Sequence, residues 1–381
     1  MSDNKHTAAE LKLIQQFPLE TKINMTRQRI KAWYESWVKF EIYDEKTEKT
    51  RYVTMIVEDL WRDEPPMNEN EYVVTAEPGQ VYVSFSGGKD STVLKHLVES
   101  MYPDVPSVFV NTGLEYPEIQ KFAMSQPNVI TVRPEMRFDE VLKKYGYPIV
   151  SKSVSHAVKI AKRNPDGNVM KNLFDPENKG MFGMYKWKSL LEAPFDSSEE
   201  CCNVMKKKPS KKYAKETGRK PFVGTLATES NLRRNHWIKN GCNAFYSKAP
   251  SSQPLSFWTE QDILHYIKKY NVPYCSVYGD IQIKKSSDIA EGQIDIIDFL
   301  GEYDPEDVLE TTGCDRTGCI FCMFGCHLEK DPNRFQKLKQ THPRQYKYCI
   351  GGGEMVDGKW QPSKEGLGLG KVLDYIGVKY D

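Results

Sequence analysis

Two groups of residues in this 381-residue chain have types and spacings suited to chemistry. The first is Ser86-Gly-Gly-Lys-Asp-Ser-Thr92, where glycines, hydroxyls and one lysine suit an anion. Gly87 and Gly88 let the backbone approach a phosphate closely, and Lys89 adds a point charge. The second group is the cysteines. Cys314, Cys319, Cys322 and Cys326 fall in one short run, and Cys201-Cys202 stand far upstream. A Cys-x-x-Cys places two thiolates on one turn at metal-chelating separation, so Cys319 and Cys322 are candidate ligands. Two pairs compete to complete the set. Cys314 and Cys326 would make a local four-sulfur site, for Zn²⁺ or an iron–sulfur cluster, whereas Cys201 and Cys202 would tie the end of an α/β core to the loop. Two adjacent sulfurs do not easily reach one small tetrahedron, but they can ligate different corners of a four-iron cube. Spacing alone leaves the two pairs level. Cys242, Cys275 and Cys349 are isolated and read as buried thiols that behave as small apolar groups.

These residues need elements to hold them. Ahead of the glycines, Val81, Val83 and Phe85 read as a buried strand; behind them, Val93, Leu94, Leu97 and Val98 have helical spacing. Asp90, Ser91 and Thr92 suit a helix start. A strand that passes through a glycine turn into a helix N-terminus aims unpaired N–H groups and a positive dipole end at one point. The stretch is not a Walker loop, because Val83 stands where that motif needs its first glycine and Asp90 where it needs Ser or Thr.

Further strands are expected at residues 105–110, 128–132 and 221–225, with a helix at 138–145. This alternation implies a doubly wound parallel sheet, with ligands beyond the strand C-termini. The loop of Asn111, Thr112 and Gly113, running to Glu118, follows the second strand and can share a crevice with the glycine turn. Helical spacing over residues 11–38 breaks at Pro18. Residues 39–79 read as an insertion: a hairpin across the polar turn 44–49, then a surface loop at 64–70. Residues 152–200 look polar and loop-rich, with Phe174, Phe182, Tyr185 and Trp187 read as packing. Thr259 and Asp262 cap a helix whose apolar side is Ile263, Tyr266 and Ile267. An acidic segment at 295–310 leads into the cysteine loop, and residues 372–376 form a short apolar tail helix. The expected divisions are 1–38 (helical arm), 39–79 (insertion), 80–283 (α/β domain) and 284–381 (cysteine-rich region and tail).

Composition narrows the classes of function. A formal net charge of +1 exerts no global pull toward nucleic acid or an anionic membrane. The exception is local, a basic run of Lys206, Lys207, Lys208, Lys211, Lys212, Lys215, Arg219 and Lys220 that could guide an anionic substrate, nucleic acid included, or a protein acceptor. No run approaches a membrane span, and the polar start does not read as a signal peptide. Crowded, odd-numbered cysteines then favour metal or redox chemistry in the cytoplasm over a disulfide framework. Nothing in the sequence speaks against an oligomer.

Ser86-Gly-Gly-Lys-Asp-Ser91 resembles the PP-loop of the adenine-nucleotide α-hydrolase-like superfamily. The blocks Cys201-Cys-Asn-Val-Met-Lys-Lys-Lys-Pro209, Gly224-Thr-Leu-Ala-Thr-Glu-Ser-Asn-Leu-Arg233 and Pro254-Leu-Ser-Phe-Trp-Thr-Glu-Gln-Asp262 look like the ordered motifs of its PAPS/APS reductase family. The resemblance is closest to the PAPS reductase-like proteins often met in bacterial mobile elements and phages. It implies an adenine-nucleotide site of Ser84, Ser86, Gly87, Gly88, Lys89, Asp90, Ser91, Thr92, Asn111, Thr112, Gly113, Gly224, Glu229, Ser230 and Arg233. It also implies a [4Fe–4S] cluster on Cys201, Cys202, Cys319 and Cys322, with Cys314 and Cys326 in reserve and Zn²⁺ as the alternative.

Two departures matter. The chain lacks the Glu-Cys-Gly-Leu/Ile-His segment with which sulfate-reducing members usually end, and it carries Lys89 where they tend to have no lysine. Lys89 suits release of pyrophosphate, because it can follow the charge that gathers on departing phosphates. The expectation is an enzyme that splits ATP with Mg²⁺, using Lys89, Asp90 and Arg233, to activate an acceptor for sulfur transfer or a related modification. The alternatives are a PAPS/APS reductase forming sulfite and a non-catalytic nucleotide-binding regulatory protein.

Overall fold

The computed structural model describes residues 4–58, 63–177, 183–284 and 307–381. Phe182 and most of the acidic segment at 295–310 lie outside them. The chain folds as two compact units that interleave in sequence. The first is Met1–Val110, Pro117–Val132 and Ser210–Thr317; the second is Asn111–Tyr116, Arg133–Pro209 and Gly318–Asp381. These units do not follow the four consecutive divisions expected from the sequence, because 133–209 groups with the C-terminal region.

Helices α1 (Ala8–Gln15) and α2 (Leu19–Ser36) are separated at Pro18, which cannot continue a helix and stands at the N-cap of α2. Strands β1 (Trp37–Asp44) and β2 (Lys49–Ile56) form the expected hairpin, paired from Trp37–Ile56 to Asp44–Lys49. A third strand, β3 (Glu71–Glu77), pairs with the other edge of β1. The three strands therefore make a small sheet of their own, with a cluster of Val38, Phe40, Ile42 and Val57.

The α/β rhythm begins with β4 (Val81–Phe85), α3 (Lys89–Met101), β5 (Ser107–Val110), α4 (Pro117–Ser125) and β6 (Val129–Val132). The chain then enters the second unit with α5 (Phe138–Tyr145), β7 (Ile149–Val150), α6 (Lys152–Arg163) and α7 (Asn168–Leu173). The stretch expected to be loop-rich thus contains a twelve-residue helix. Its signal was there: Val154, Ala157, Val158 and Ala161 recur at helical spacing and are buried, and Ser151 caps it. Phe174 is core and Trp187 packs against it, as expected, while Tyr185 is exposed.

After α8 (Lys208–Thr217) come β8 (Lys220–Val223), α9 (Asn231–Asn240), β9 (Asn243–Ala244), β10 (Ser251–Ser252), α10 (Glu260–Lys269), β11 (Ile281–Ile283) and β12 (Leu309–Thr311). Six strands form one sheet in the order β6-β5-β4-β8-β10-β9, parallel except at β9. Both faces of β4 are buried. Val81, Val83 and Phe85 join the larger cluster, and Tyr82 joins Val108 and Tyr213 on the other side. Strands buried on both sides are nearly all apolar, which is why β4 is legible in the sequence.

The chain builds outward from β4 through β5 to β6, then returns to place β8 on the opposite edge of β4. The order reverses between β4 and β8, and a sheet of this kind opens a crevice beyond the strand C-termini at that point. The glycine turn after Phe85 and the segment after Val223 both leave the sheet there.

The second unit resumes with β13 (Met323–Phe324), parallel to β7, and with helices at Arg334–Thr341, Pro343–Ile350 and Leu369–Tyr375. Its core gathers Ile149, Phe195, Phe335, Leu369 and Leu373 together with Cys201, Cys326 and Cys349.

Candidate functional site

In the first unit, Gly87 takes φ +74°, a conformation L side chains rarely adopt, and turns the chain from β4 into α3. Gly88 is the N-cap, with no side-chain cap. The Ser91 and Thr92 hydroxyls donate to the Gly88 carbonyl at 2.9 and 3.0 Å, and Ser86 N–H donates to Ser91 Oγ at 3.2 Å. Ser91 and Thr92 therefore brace the turn, while Ser86 stays exposed at its edge. Gly224 has a different task. A Cβ there would lie 3.0 Å from Ser91 Cα and 3.1 Å from the Asp90 carbonyl oxygen, so only glycine lets the end of β8 approach α3 so closely.

Lys89 is buried at 5% exposure, its ammonium 2.7 Å from Glu260 Oε1 on α10 and hydrogen-bonded to the Asp315 carbonyl. Its backbone N–H donates to Tyr278 Oη at 3.3 Å, and that hydroxyl lies 2.6 Å from Thr317 Oγ1. Burial pushes the Tyr278 phenol up to about 12, so it stays neutral. Backbone bonds from Thr312, Gly313 and Cys314 to Asp280, Tyr278 and Val277 carry Asp315, Arg316 and Thr317 to this place. Gln261 fixes the strand before them by bonding both the N–H and the carbonyl of Leu309.

Beside Lys89 opens a cavity of about 250 Å³ lined by Asp90, Glu229, Glu260 and Arg316, with Leu226 and Thr228. Glu229 accepts from the Leu226 N–H at 3.0 Å and pairs with both Arg233 and Arg316. Burial raises the Asp90 carboxyl above its ordinary range, although Lys89, Arg316 and Arg233 pull the other way. Burial and the nearby Arg316 lower Arg233. Two guanidiniums and one ammonium thus meet at this small cleft, each paired with a carboxylate, Lys89 with Glu260 and both arginines with Glu229, and Asp90 stands beside them.

Of the residues expected here, Lys89, Asp90, Glu229 and Arg233 come together. Ser84 lies within β4, and Ser230 caps α9 by accepting from Arg233 N–H. Asn111, Thr112 and Gly113 belong to the second unit. There Asn111 Oδ1 accepts from Gly113 N–H at 3.2 Å, and Thr112 bonds Glu115 through both N–H and hydroxyl. Sequence reasoning missed Glu260, Tyr278 and Arg316. Arg316 stands between Cys314 and Cys319, and a cation beside Gly313 and Gly318 was the available signal.

In the second unit, Cys201 and Cys202 open a helical segment whose next five residues, Asn203–Lys207, form a π-helical turn. Such turns are rare and recur at functional sites. Burial pushes the Cys201 thiol far up, and nearby Cys319, Cys202 and Cys322 push it further. Burial likewise raises Cys319, to about 11, and Cys322. All four candidate ligands thus feel one another within one unit. Lys206 is the cation among them; burial disfavours its charge, but Cys319, to which it hydrogen-bonds, and Glu115 prevail and hold it protonated. Arg334 donates to the Cys322 carbonyl at 2.9 Å.

Among the described residues, no three His, Cys, Asp or Glu side chains stand close enough to hold a single metal ion. Of the reserve cysteines, Cys326 is core in this unit, its thiol donating to the Met323 carbonyl at 3.0 Å. Cys314 belongs to the first unit, near Cys275. All nine cysteines are free.

The basic run divides. Lys207, Lys208, Lys211, Lys212 and Lys215 are exposed; Lys206 serves the thiols, Arg219 donates to the Val81 carbonyl and Lys220 lies over the Trp37 ring. Among the described residues, no helix is long and apolar enough to cross a membrane.

An adenosine 5'-phosphosulfate reductase of Staphylococcus haemolyticus is 23% identical over 205 residues, covering 52% of this chain and 65% of that one. The reductase of the same name from Geobacillus kaustophilus is 26% identical over 198 residues, covering 51% and 66%. This chain therefore spans just under two thirds of those relatives' length. A phosphoadenylyl-sulfate reductase structure from Candida auris aligns with 52% of this chain and 75% of its own, at 16% identity and a TM-score of 0.31. The relatives give no support to an origin in phages or mobile elements. The sequence profile of the phosphoadenosine phosphosulfate reductase domain matches residues 80–173 and 126–323, a span holding the glycine turn, Arg233, Arg316 and the Cys-x-x-Cys, and the chain belongs to that family.

Proposed function

We propose that this protein binds ATP through the glycine turn after β4 and splits it between the α- and β-phosphates to activate an acceptor. The observation that carries the reading is Lys89, a buried ammonium at the N-terminus of α3 that follows the glycine turn and borders a cleft holding Arg316. An acceptor oxygen attacks the α-phosphorus, and the bond to the α–β bridging oxygen breaks. Its electron pair leaves with pyrophosphate, and the adenylated acceptor remains. Lys89 and Arg316 meet the charge growing on the leaving group, Arg233 faces the α-phosphate, and Asp90 holds Mg²⁺ through water. Phosphate oxygens take the place of the Tyr278 hydroxyl at the Lys89 N–H. Ser86, Gly87 and Gly88 line the turn, and Ser91, Thr92 and Gly224 keep its shape.

Cys201, Cys202, Cys319 and Cys322 suit a four-iron cluster. Adjacent cysteines ligate neighbouring corners of a cube more readily than one tetrahedral ion, and Lys206 offsets the charge of the thiolates. Bound there, the cluster would supply electrons or sulfide for the transfer that follows activation. The exposed lysines of α8 suit an anionic acceptor.

A second reading, reduction of PAPS or APS to sulfite, is favoured by the names of the relatives. One experiment separates the two. Purified protein is given ATP with Mg²⁺, or PAPS with a thiol, and pyrophosphate and sulfite are measured. Pyrophosphate from ATP without sulfite from PAPS supports the first reading; sulfite alone replaces it with the second.

A further inference from the structure

The first unit contains another cavity, of about 420 Å³, between α1 and the first turn of α9. Its inner wall is apolar, from Leu11 and Ala227, and its rim carries Lys12, Arg234 and Asn231. No carboxylate lines it. Among the described residues, neither Lys12 nor Arg234 forms a side-chain ion pair. Their charges are therefore uncommitted, unlike those of Lys89, Arg233 and Arg316. The Gln15 side-chain nitrogen, on the same wall, is shielded from solvent and has no hydrogen-bond partner.

The walls are held in place. His6 N–H donates to the Ile238 carbonyl at 3.0 Å, and its ring stacks on Trp237 at 4.5 Å, pinning the start of α1 to α9. Thr7 and Glu10 close a capping box. At the other end, Lys22 bonds the Gln15 carbonyl at 2.9 Å and Asp262 at 2.6 Å. The volume suits a small organic molecule. Two cations and a helix N-terminus beside an apolar wall select an anion with an apolar body. Helix α1 lies outside the residues matched by the family profile.

The geometry points to the α1–α9 cleft as the seat of a small anionic acceptor, a phosphate or carboxylate ester-forming group on an apolar body. Thr228 lines both this cleft and the one holding Lys89, so an anion seated here is one residue away from the proposed nucleotide site. The acceptor role rests on the ATP reading; the anion site does not.

The test is calorimetric titration of the full chain with phenyl phosphate, benzoate and phenol as probes. Phenyl phosphate or benzoate should bind once per chain, and phenol at least tenfold more weakly; the stronger of the two anions identifies the head group. Lys12→Ala with Arg234→Ala should weaken that binding at least tenfold, with ATP binding and the thermal transition unchanged. Lys89→Ala should do the reverse. Absence of anion binding, binding indifferent to Lys12 and Arg234, or binding lost in Lys89→Ala would each overturn the proposal. Failure of ATP to bind the parent, with phenyl phosphate still bound through Lys12, would remove only the acceptor role.

Discussion

The cleft around Lys89 and the thiol group around Lys206 solve opposite electrostatic problems. In the first unit the charges are already present and each is held by a partner: Lys89 by Glu260, and Arg233 and Arg316 by Glu229. As the proposed nucleotide site, the cleft would be organised before its ligand arrives and have little left to reorganise during a reaction. In the second unit, burial holds Cys201, Cys319 and Cys322 as neutral thiols. On the proposed reading they would become ligands when a metal displaces their protons, and that site would be completed by what it binds. One region stores charge in its fold, and the other acquires it.

The largest expected effect tests the second half of this contrast. Protein prepared without oxygen should contain about four irons per chain. Cys201→Ser should reduce iron and sulfide almost to zero and leave ATP binding in place. Full iron retention in the variant would exclude Cys201 as a ligand.

A smaller effect tests the preformed half. Gly224→Ala puts a methyl group against Ser91 Cα and the Asp90 carbonyl, backbone atoms that cannot swing aside. Forcing that contact should cost roughly 1–3 kcal/mol, read as a lowered midpoint in denaturant, and should weaken ATP while iron content stays unchanged. Unaltered stability would mean that the turn is looser than described.

The smallest effects distinguish the units by pH. In the first, hydrogen bonding to Arg51 lowers Glu71 from its ordinary 4.5 to about 2. Its contribution to stability is fully present above about pH 4.5 and is lost as pH falls toward 2. In the second, burial raises Cys349 well above 9.0. The unfolded chain loses that proton first, so stability is intact below about pH 9 and declines as pH rises past it. Glu71→Gln should flatten the acid limb and Cys349→Ala the alkaline limb in pH-dependent unfolding. Equal slopes in parent and variant would contradict the respective assignment.

The same contrast explains what was legible in the sequence. Strand β4, its glycine turn and α3 lie together along the chain, and both faces of β4 are buried, so the pattern is local and clear. Helix α10 was legible for a similar reason, since Thr259 and Asp262 cap it from within four residues. Glu260, Tyr278 and Arg316 were not, because each reaches Lys89 or its cleft from an element distant in sequence. Strand β3 was not among the strands expected, because five of its seven residues are exposed, Tyr72 and Val74 included, and it pairs along β1, distant in sequence. The grouping of 133–209 with the C-terminal region depends on packing such as β7 against β13, two residues each, which no periodicity reveals.

The most direct measurement is calorimetric titration of ATP with Mg²⁺ into the parent protein and Lys89→Ala. The account predicts a single site in the parent and at least tenfold weaker binding in the variant, with the same thermal transition and the same iron content. Indistinguishable binding by the two proteins, or none by the parent, would contradict the assignment of the glycine turn to the nucleotide's phosphates.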